Sequence, residues 1–185
     1  MIGKVSAILL YIWPDQTLFL LLNKVVKDKE YSLRPDFLAE YQFMAYMNGS
    51  YTFAIIKPNA IRTGKTGPIL AMINEAGFEI SALKMVYMTS EQAESFYEVH
   101  KGKAFYEELV EFMTSGPVVV MILKHQNAVE EFRKLIGATD PAKAEPGTIR
   151  KTFAISVKMN AVHGSDSDEN AFRESNFFFS EIERF

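Results

Sequence analysis

Apolar runs that break at Pro or Gly, separated by stretches in which apolar residues recur every three or four positions, predict an α/β (α+β) fold, one sheet with helices packed against it. Length and composition agree: 185 residues, 48% of them hydrophobic, suffice for one domain of ordinary size with a real core. Cysteine is absent, which excludes disulfides, thiolate zinc sites and cysteine nucleophiles, and fits a reducing, cytoplasmic compartment. A formal charge of -3 argues against a general nucleic-acid coat, because such proteins display a net basic face.

Residues 1-50 differ from the rest. Val5 to Trp13 is an apolar run broken by Pro14-Asp15-Gln16, and Thr17 to Leu22 is a second short run. Neither reaches the roughly 20 apolar residues of a membrane span, and no A-x-A cleavage pattern follows, so neither membrane attachment nor secretion is expected. Met44 and Met47 stand just before the first convincing strand, so an internal start that leaves the extension outside the native core is one expectation.

From residue 51 the elements follow in order. Tyr51 to Pro58 is β-branched and aromatic and reads as a buried strand. Ile69, Leu70, Ile73 and Ala76 have helical spacing before a stop at Gly77. Ile80 to Met88 alternates as a second strand, with Ala82, Lys84, Val86 and Met88 on one face and Leu83, Met85 and Tyr87 on the other. Thr89 and Gln92 offer a capping box for a helix carrying Ala93, Phe96, Tyr97 and His100. Phe105, Leu109, Phe112 and Met113 share a face of a further helical piece that ends at Ser115-Gly116-Pro117. Val118 to Leu123 is continuously apolar, as in a central strand, and Asn127 to Ile136 is a helix stopped by Gly137. A long loop, 138-148, precedes a strand expected near Ile155 to Ala161 and a helix from about Ser167 to Phe179. Periodicity leaves two topologies open, a ferredoxin-like β-α-β-β-α-β core with extra helices or a doubly wound sheet.

Chemistry concentrates in Asn160-Ala161-Val162-His163-Gly164-Ser165-Asp166-Ser167. Read as a tight polar turn, this octet would hold His163 out as a nucleophile, with Gly164 permitting close backbone approach and Ser165 and Asp166 bonding the ring or capping the next helix. Two competing motifs fail. Gly64-Lys65-Thr66 resembles the end of a P-loop, but Asn59 stands where its first Gly belongs. His163, Ser165 and Asp166 are hydrolase residue types, yet they crowd into four positions without a G-x-S-x-G elbow. Lys57, Arg133 and Arg150, with Thr139 and Asn160, are instead the groups a phosphate chain needs, since Arg grips phosphate oxygens bidentately and Lys supplies a compact charge.

In order, Ile56-Lys57-Pro58, Phe96-Tyr97, Ser115-Gly116-Pro117, Pro146-Gly147-Thr148-Ile149-Arg150 and Asn160-x-x-His163-Gly164-Ser165-Asp166 resemble the nucleoside diphosphate kinase family, from about Thr52 onward. The resemblance implies a nucleoside diphosphate kinase domain over 51-185 and the ferredoxin-like core with a four-stranded antiparallel sheet. It also implies a ping-pong exchange through a phosphohistidine on Nδ1 of His163, which serves nucleotide pools. It assigns Glu174, with help from Ser165, to orient the ring through its other nitrogen. Lys57, Tyr97, Arg133, Thr139 and Arg150 would hold phosphates, and Asn160 the sugar hydroxyl and phosphate side. Phe105 would stack on the base, with Val157 opposite and Leu109 beside it. Mg²⁺ would ride on the nucleotide phosphates, with Asp166 as a contact through water and no dedicated protein cage. The implied partners are nucleoside triphosphates and diphosphates, with no specific nucleic acid, in a homo-oligomer, a tetramer or hexamer. The end at Glu181-Ile182-Glu183-Arg184-Phe185 is shorter than in long-tailed members, so subunit contacts made by such tails are not expected. The alternative is a non-catalytic ferredoxin-like nucleotide-binding or regulatory module, which would have lost the nucleophile or the phosphate clamp; here both sets of residues are present.

Overall fold

Strands β1 (Tyr51–Ile56) and β3 (Val118–Lys124) are buried along almost their whole length, because alternate side chains enter two different cores. Phe53, Ile55, Val118, Val120 and Ile122 face one side; Ala54, Ile56, Val119, Met121 and Leu123 face the other. Period-2 alternation sorts the residues, and helices on both faces explain why these antiparallel strands read as continuous apolar runs.

The computed structural model describes residues 49–185, so the expectations for Val5 to Leu22 and for Met44 and Met47 lie outside the described residues. The element order is β1, α1 (Pro58–Arg62), α2 (Thr66–Glu75), β2 (Glu79–Val86), α3 (Ser90–Phe96), α4 (Tyr106–Met113), β3, α5 (Ala128–Ile136), α6 (Ile149–Phe153), β4 (Val162–Gly164) and α7 (Asp168–Phe178). Short 3-10 turns follow α3 and α7. The sheet order is β2-β3-β1-β4 and every neighbouring pair is antiparallel. That pairing excludes the doubly wound alternative and gives the ferredoxin-like core β1-α2-β2-β3-α5-β4. Helices α2, α5 and α6 cover one face through Ile69, Ile73, Phe132, Ile136 and Ile149. The additional helices α3, α4 and α7 cover the other through Ala93, Phe96, Val110, Met113 and Ala171. Each fully buried Phe or Ile contributes about 1.5–3 kcal/mol.

The capping box at α3 forms as the sequence predicts. The Thr89 hydroxyl accepts from Gln92 N at 3.2 Å, and the Gln92 side chain accepts from Thr89 N at 3.0 Å. Helix α5 stops at Gly137, whose φ of 79° suits glycine. Leu83 and Met85 of β2, with Tyr87 just after it, form the exposed face, and Ala82 is buried. A register irregularity between Ile80 and Ala82 lies next to that alternation.

Two expectations need correction. The last strand is Val162–Gly164, not 155–161. Between those positions the chain bends back on itself: Ile155 N donates to Met159 O at 2.9 Å, and Ile155 and Val157 face outward. Consequently His163 lies on a strand rather than on a turn, opposite Ile55 in the ladder. Two short helices, α1 and α6, were also not evident from periodicity.

Candidate active site around His163

The backbone that delivers His163 is strained just before it. Ala161 has φ 69°, and Val162 N donates to Asn160 O at 2.8 Å, which together define a γ-turn. The carbonyl of Ala161 accepts from Lys57 N at 2.9 Å, tying this turn to the end of β1. After the nucleophile candidate, Gly164 is required by close packing: a Cβ there would lie 2.7 Å from Phe132 Cδ1.

The His163 ring is held on its Nε2 side. Nε2 lies 3.0 Å from Glu174 Oε2, and Ser165 Oγ donates to the same oxygen at 2.5 Å. Glu174 is 5% exposed and lies on α7, which is capped by Ser167 Oγ on Asn170 N at 3.1 Å and packs mainly against β1, the strand that pairs with β4. Ser167 thus provides the cap considered for Ser165 and Asp166; Asp166 Oδ1 instead accepts from Asn170 Nδ2 at 2.6 Å. That bond, with Arg133 and His163 nearby, holds the Asp166 carboxyl below its ordinary range. With a carboxylate accepting at Nε2, the neutral ring carries its proton there and presents the Nδ1 lone pair. Phe53, Phe96 and Tyr97 surround the ring, with centroids 6.3, 5.9 and 6.4 Å away. The His163 side chain remains 22% exposed, enough for a reacting group to approach.

A cationic group adjoins it. Lys57, 7% exposed, donates from Nζ to Asn160 Oδ1 at 2.7 Å, and Asn160 Nδ2 donates to Val157 O at 2.9 Å. A neutral amide is a weak counterpart for a buried ammonium. Burial, and secondarily the Arg150 charge, push Lys57 down to about 7. Arg150 is held by its own donors, Nη1 to Gly137 O at 2.8 Å and Nη2 to Val162 O at 3.2 Å, while its buried Nε has no partner among the described residues. Burial and Arg133 lower Arg150 to about 10. The Tyr97 hydroxyl is likewise buried without a partner among the described residues, and burial with the Glu174 carboxylate raises its pKa. Orphaned donors and crowded cations together favour an incoming anion.

The remaining candidates are more open. Arg133 and Thr139 are exposed, on α5 and in the loop after Gly137. Arg133 and Asp166 line a cleft of about 410 Å³ with Asn127 and Asp168. Phe105 is 49% exposed, which argues against a purely core role. Leu109 is half-buried against the core, and Val157 is exposed. An ion pair from Lys158 Nζ to Glu108 Oε1, 2.6 Å, links α4 to the loop carrying Val157.

Sequence reasoning passed over His100, which lies between Tyr97 and Phe105, with ring centroids 6.2 and 5.6 Å away. Burial, Lys103 and His163 keep its pKa below the usual histidine value. Its position three residues after Tyr97 was the available signal.

The family model for nucleoside diphosphate kinase matches residues 50–184. The nucleoside diphosphate kinase of Lawsonia intracellularis is 54% identical over 134 residues, covering 72% of this chain and 97% of that protein. That of Chlamydia abortus is 52% identical over 132 residues, covering 71% and 94%. Among solved structures, the Aquifex aeolicus nucleoside diphosphate kinase superposes with a TM-score of 0.72 at 43% identity, covering 74% of this chain and 99% of that one. The Halobacterium salinarum enzyme in complex with CDP gives 0.70 at 34% identity, covering 73% and 90%. Matched across nearly the full length of these enzymes in both sequence and fold, the chain belongs to the nucleoside diphosphate kinase family, phosphotransferases of nucleotide metabolism.

Proposed function

We propose that the chain moves the terminal phosphoryl of a nucleoside triphosphate to a nucleoside diphosphate by a ping-pong route through a phosphohistidine at His163. The observation that carries this reading is the shared oxygen of Glu174, which receives both His163 Nε2 at 3.0 Å and Ser165 Oγ at 2.5 Å. In the first half-reaction the Nδ1 lone pair attacks the terminal phosphorus, the bridging P–O bond breaks, and the diphosphate leaves. The ring then bears positive charge, which the Glu174 carboxylate offsets while Nε2 keeps its proton. In the second half-reaction a terminal oxygen of another diphosphate attacks that phosphorus and the N–P bond breaks, restoring the neutral ring.

Lys57, Arg133 and Arg150 would neutralise phosphate oxygens, with the Tyr97 hydroxyl and Thr139 as neutral donors and Asn160 at the sugar and phosphate side. Phe105, opposite Val157 and beside Leu109, would stack on the base, and stacking tolerates any base. The complex of the Halobacterium relative with CDP is consistent with nucleotide binding at such a site.

The family depends on a divalent cation. Among the described residues no three His, Cys, Asp or Glu side chains gather to hold one, a donor set that fits Mg²⁺ held chiefly by phosphate oxygens and water. Asp166, exposed after the His163 strand, would meet it through water. When bound, Mg²⁺ supplies further charge neutralisation to the phosphates. Further parts of the proposal are a homo-oligomer, tetrameric or hexameric, a cytoplasmic location, and residues 1-50 as an extension to the catalytic domain 51-185. Among the described residues no helix is long and apolar enough to cross a membrane.

Incubation with γ-labelled ATP tests the mechanism. Label on the protein should survive base and be lost in acid, as for a phosphohistidine, and should vanish in His163→Ala. Label that persists and passes to a diphosphate in that variant would overturn the proposal.

A further inference from the structure

One oxygen of Glu174 serves His163 and Ser165; the other has a neighbour of its own. Arg173 Nη2 stands 3.6 Å from Glu174 Oε1. The same guanidinium donates from Nη1 to Phe96 O at 3.3 Å and from Nε to Asn170 Oδ1 at 3.3 Å. Its Cζ lies 5.9 Å from the Phe96 ring centroid, and that ring packs edge-on to His163. Asn170 in turn donates to Asp166 Oδ1 at 2.6 Å, three residues after the proposed nucleophile. Arg173 therefore meets the carboxylate behind the imidazole, the end of the helix that supplies the aromatic beside it, and the asparagine that ties down the segment following it.

We infer that Arg173 is a positioning residue for phosphoryl transfer: anchored to α3 and to Asn170, it fixes Glu174 Oε1 so that Oε2 remains on His163 Nε2. The inference rests on the proposed role of His163. A solitary surface Arg–Glu pair contributes little, but this guanidinium is not solitary. Besides the carboxylate, its planar fork has two further acceptors, Phe96 O and Asn170 Oδ1, which fix its orientation before it meets the carboxylate. Ser165 alone cannot supply this restraint, because it grips the same oxygen as the imidazole and leaves the carboxylate free to swing about that contact. A swing would lengthen the His163 bond and let the ring proton redistribute between its nitrogens. The lone pair needed for attack at Nδ1 would then be present only part of the time.

The test uses full-length Arg173→Gln and Arg173→Lys. For Arg173→Gln, kcat should fall about tenfold, less than the hundredfold that follows a full ångström of misplacement, with nucleotide KM within about twofold of wild type. Nitrogen-15 NMR of the His163 ring should show a single Nε2-protonated tautomer in wild type and a mixture in Arg173→Gln. Arg173→Lys keeps the charge without the fork, so its kcat should fall between the two. A raised KM with unchanged kcat, or a lower Tm with wild-type tautomer and kcat, would overturn the inference. Failure of the underlying reading looks different: wild-type protein would then take up label that His163→Ala also takes up, whatever Arg173 does. If label resides on His163 and Arg173→Gln acquires it at the wild-type rate, only the Arg173 inference falls.

Discussion

The two sides of the site are built in contrasting ways. Around His163 the protein completes its own contacts: Glu174 is buried, its oxygen is shared with Ser165, and Phe53, Phe96 and Tyr97 enclose the ring. On the side assigned to the base and outer phosphates, Phe105, Val157, Arg133 and Thr139 are exposed. The difference suits what each side would do in the proposed reaction. A carrier atom has to be aimed before substrate arrives, since disorder there enters the barrier directly. A base-stacking side chain can wait for its ligand to cover it, because an exposed apolar face gains most when the ligand removes it from water.

Lys57 stands between these extremes, buried yet with only an amide as hydrogen-bond partner, so altering it should break the contrast most severely. Lys57→Met should lower kcat/KM on the order of 100-fold, the scale for loss of one preorganised donor, while steady-state kinetics with several acceptor bases should show a similar loss for each. The same residue makes a pH prediction. In the free protein Lys57 is pushed down to about 7 by burial and Arg150, and a bound phosphate raises it again. Binding then takes up a proton above about pH 7, so nucleotide affinity should weaken as pH rises from there; calorimetry in two buffers of different ionisation enthalpy measures the uptake. For the unliganded fold the sign is opposite. The unfolded chain keeps this proton up to the ordinary lysine value of 10.5, so the Lys57 contribution opposes folding below about 7 and is relieved as pH rises.

Gly164→Ala tests the closed side. A methyl group there would sit 2.7 Å from Phe132 Cδ1, 2.8 Å from Cε1 and 3.3 Å from Ile136 Cδ1, all in a filled core. Overpacking of this kind costs about 1–3 kcal/mol, so denaturant melts should show lower stability, and kcat should fall as β4 shifts. Phe105→Ala tests the open side and should leave Tm almost unchanged. Its nucleotide affinity should weaken by roughly 1–3 kcal/mol, the value of a base stack, with broad base acceptance retained. Unchanged affinity would show that Phe105 does not meet the base.

Much of this site could be read from the chain because its key segment is contiguous: Asn160, His163, Gly164, Ser165 and Asp166 fall within seven positions. The fold was legible where long runs are buried, as in β1 and β3, and at the Thr89 cap, where chemistry is local. Strand β4 was misplaced because three residues are too few for a period to declare itself, while the apolar Ile155 and Val157 nearby point outward. Helix spacing gave Phe105 a core-like pattern, and only the three-dimensional arrangement shows it half-exposed. Arg173 was illegible for a different reason. On the polar side of a helix one more arginine looks like a solvated charge, and its meaning lies in Phe96 O, 77 positions earlier in the chain.

Among the described residues strand β4 has a single neighbour, β1, and His163 takes its place in the sheet by pairing with Ile55. For anyone wishing to install this proposed carrier in another protein, the familiar octet is therefore not a portable cassette. The smallest transferable block is noncontiguous: β1 through Lys57, the Ala161 turn with β4, and α7 as far as Glu174, together with the packed faces of Phe53 and Phe132 that fix where the strand lies.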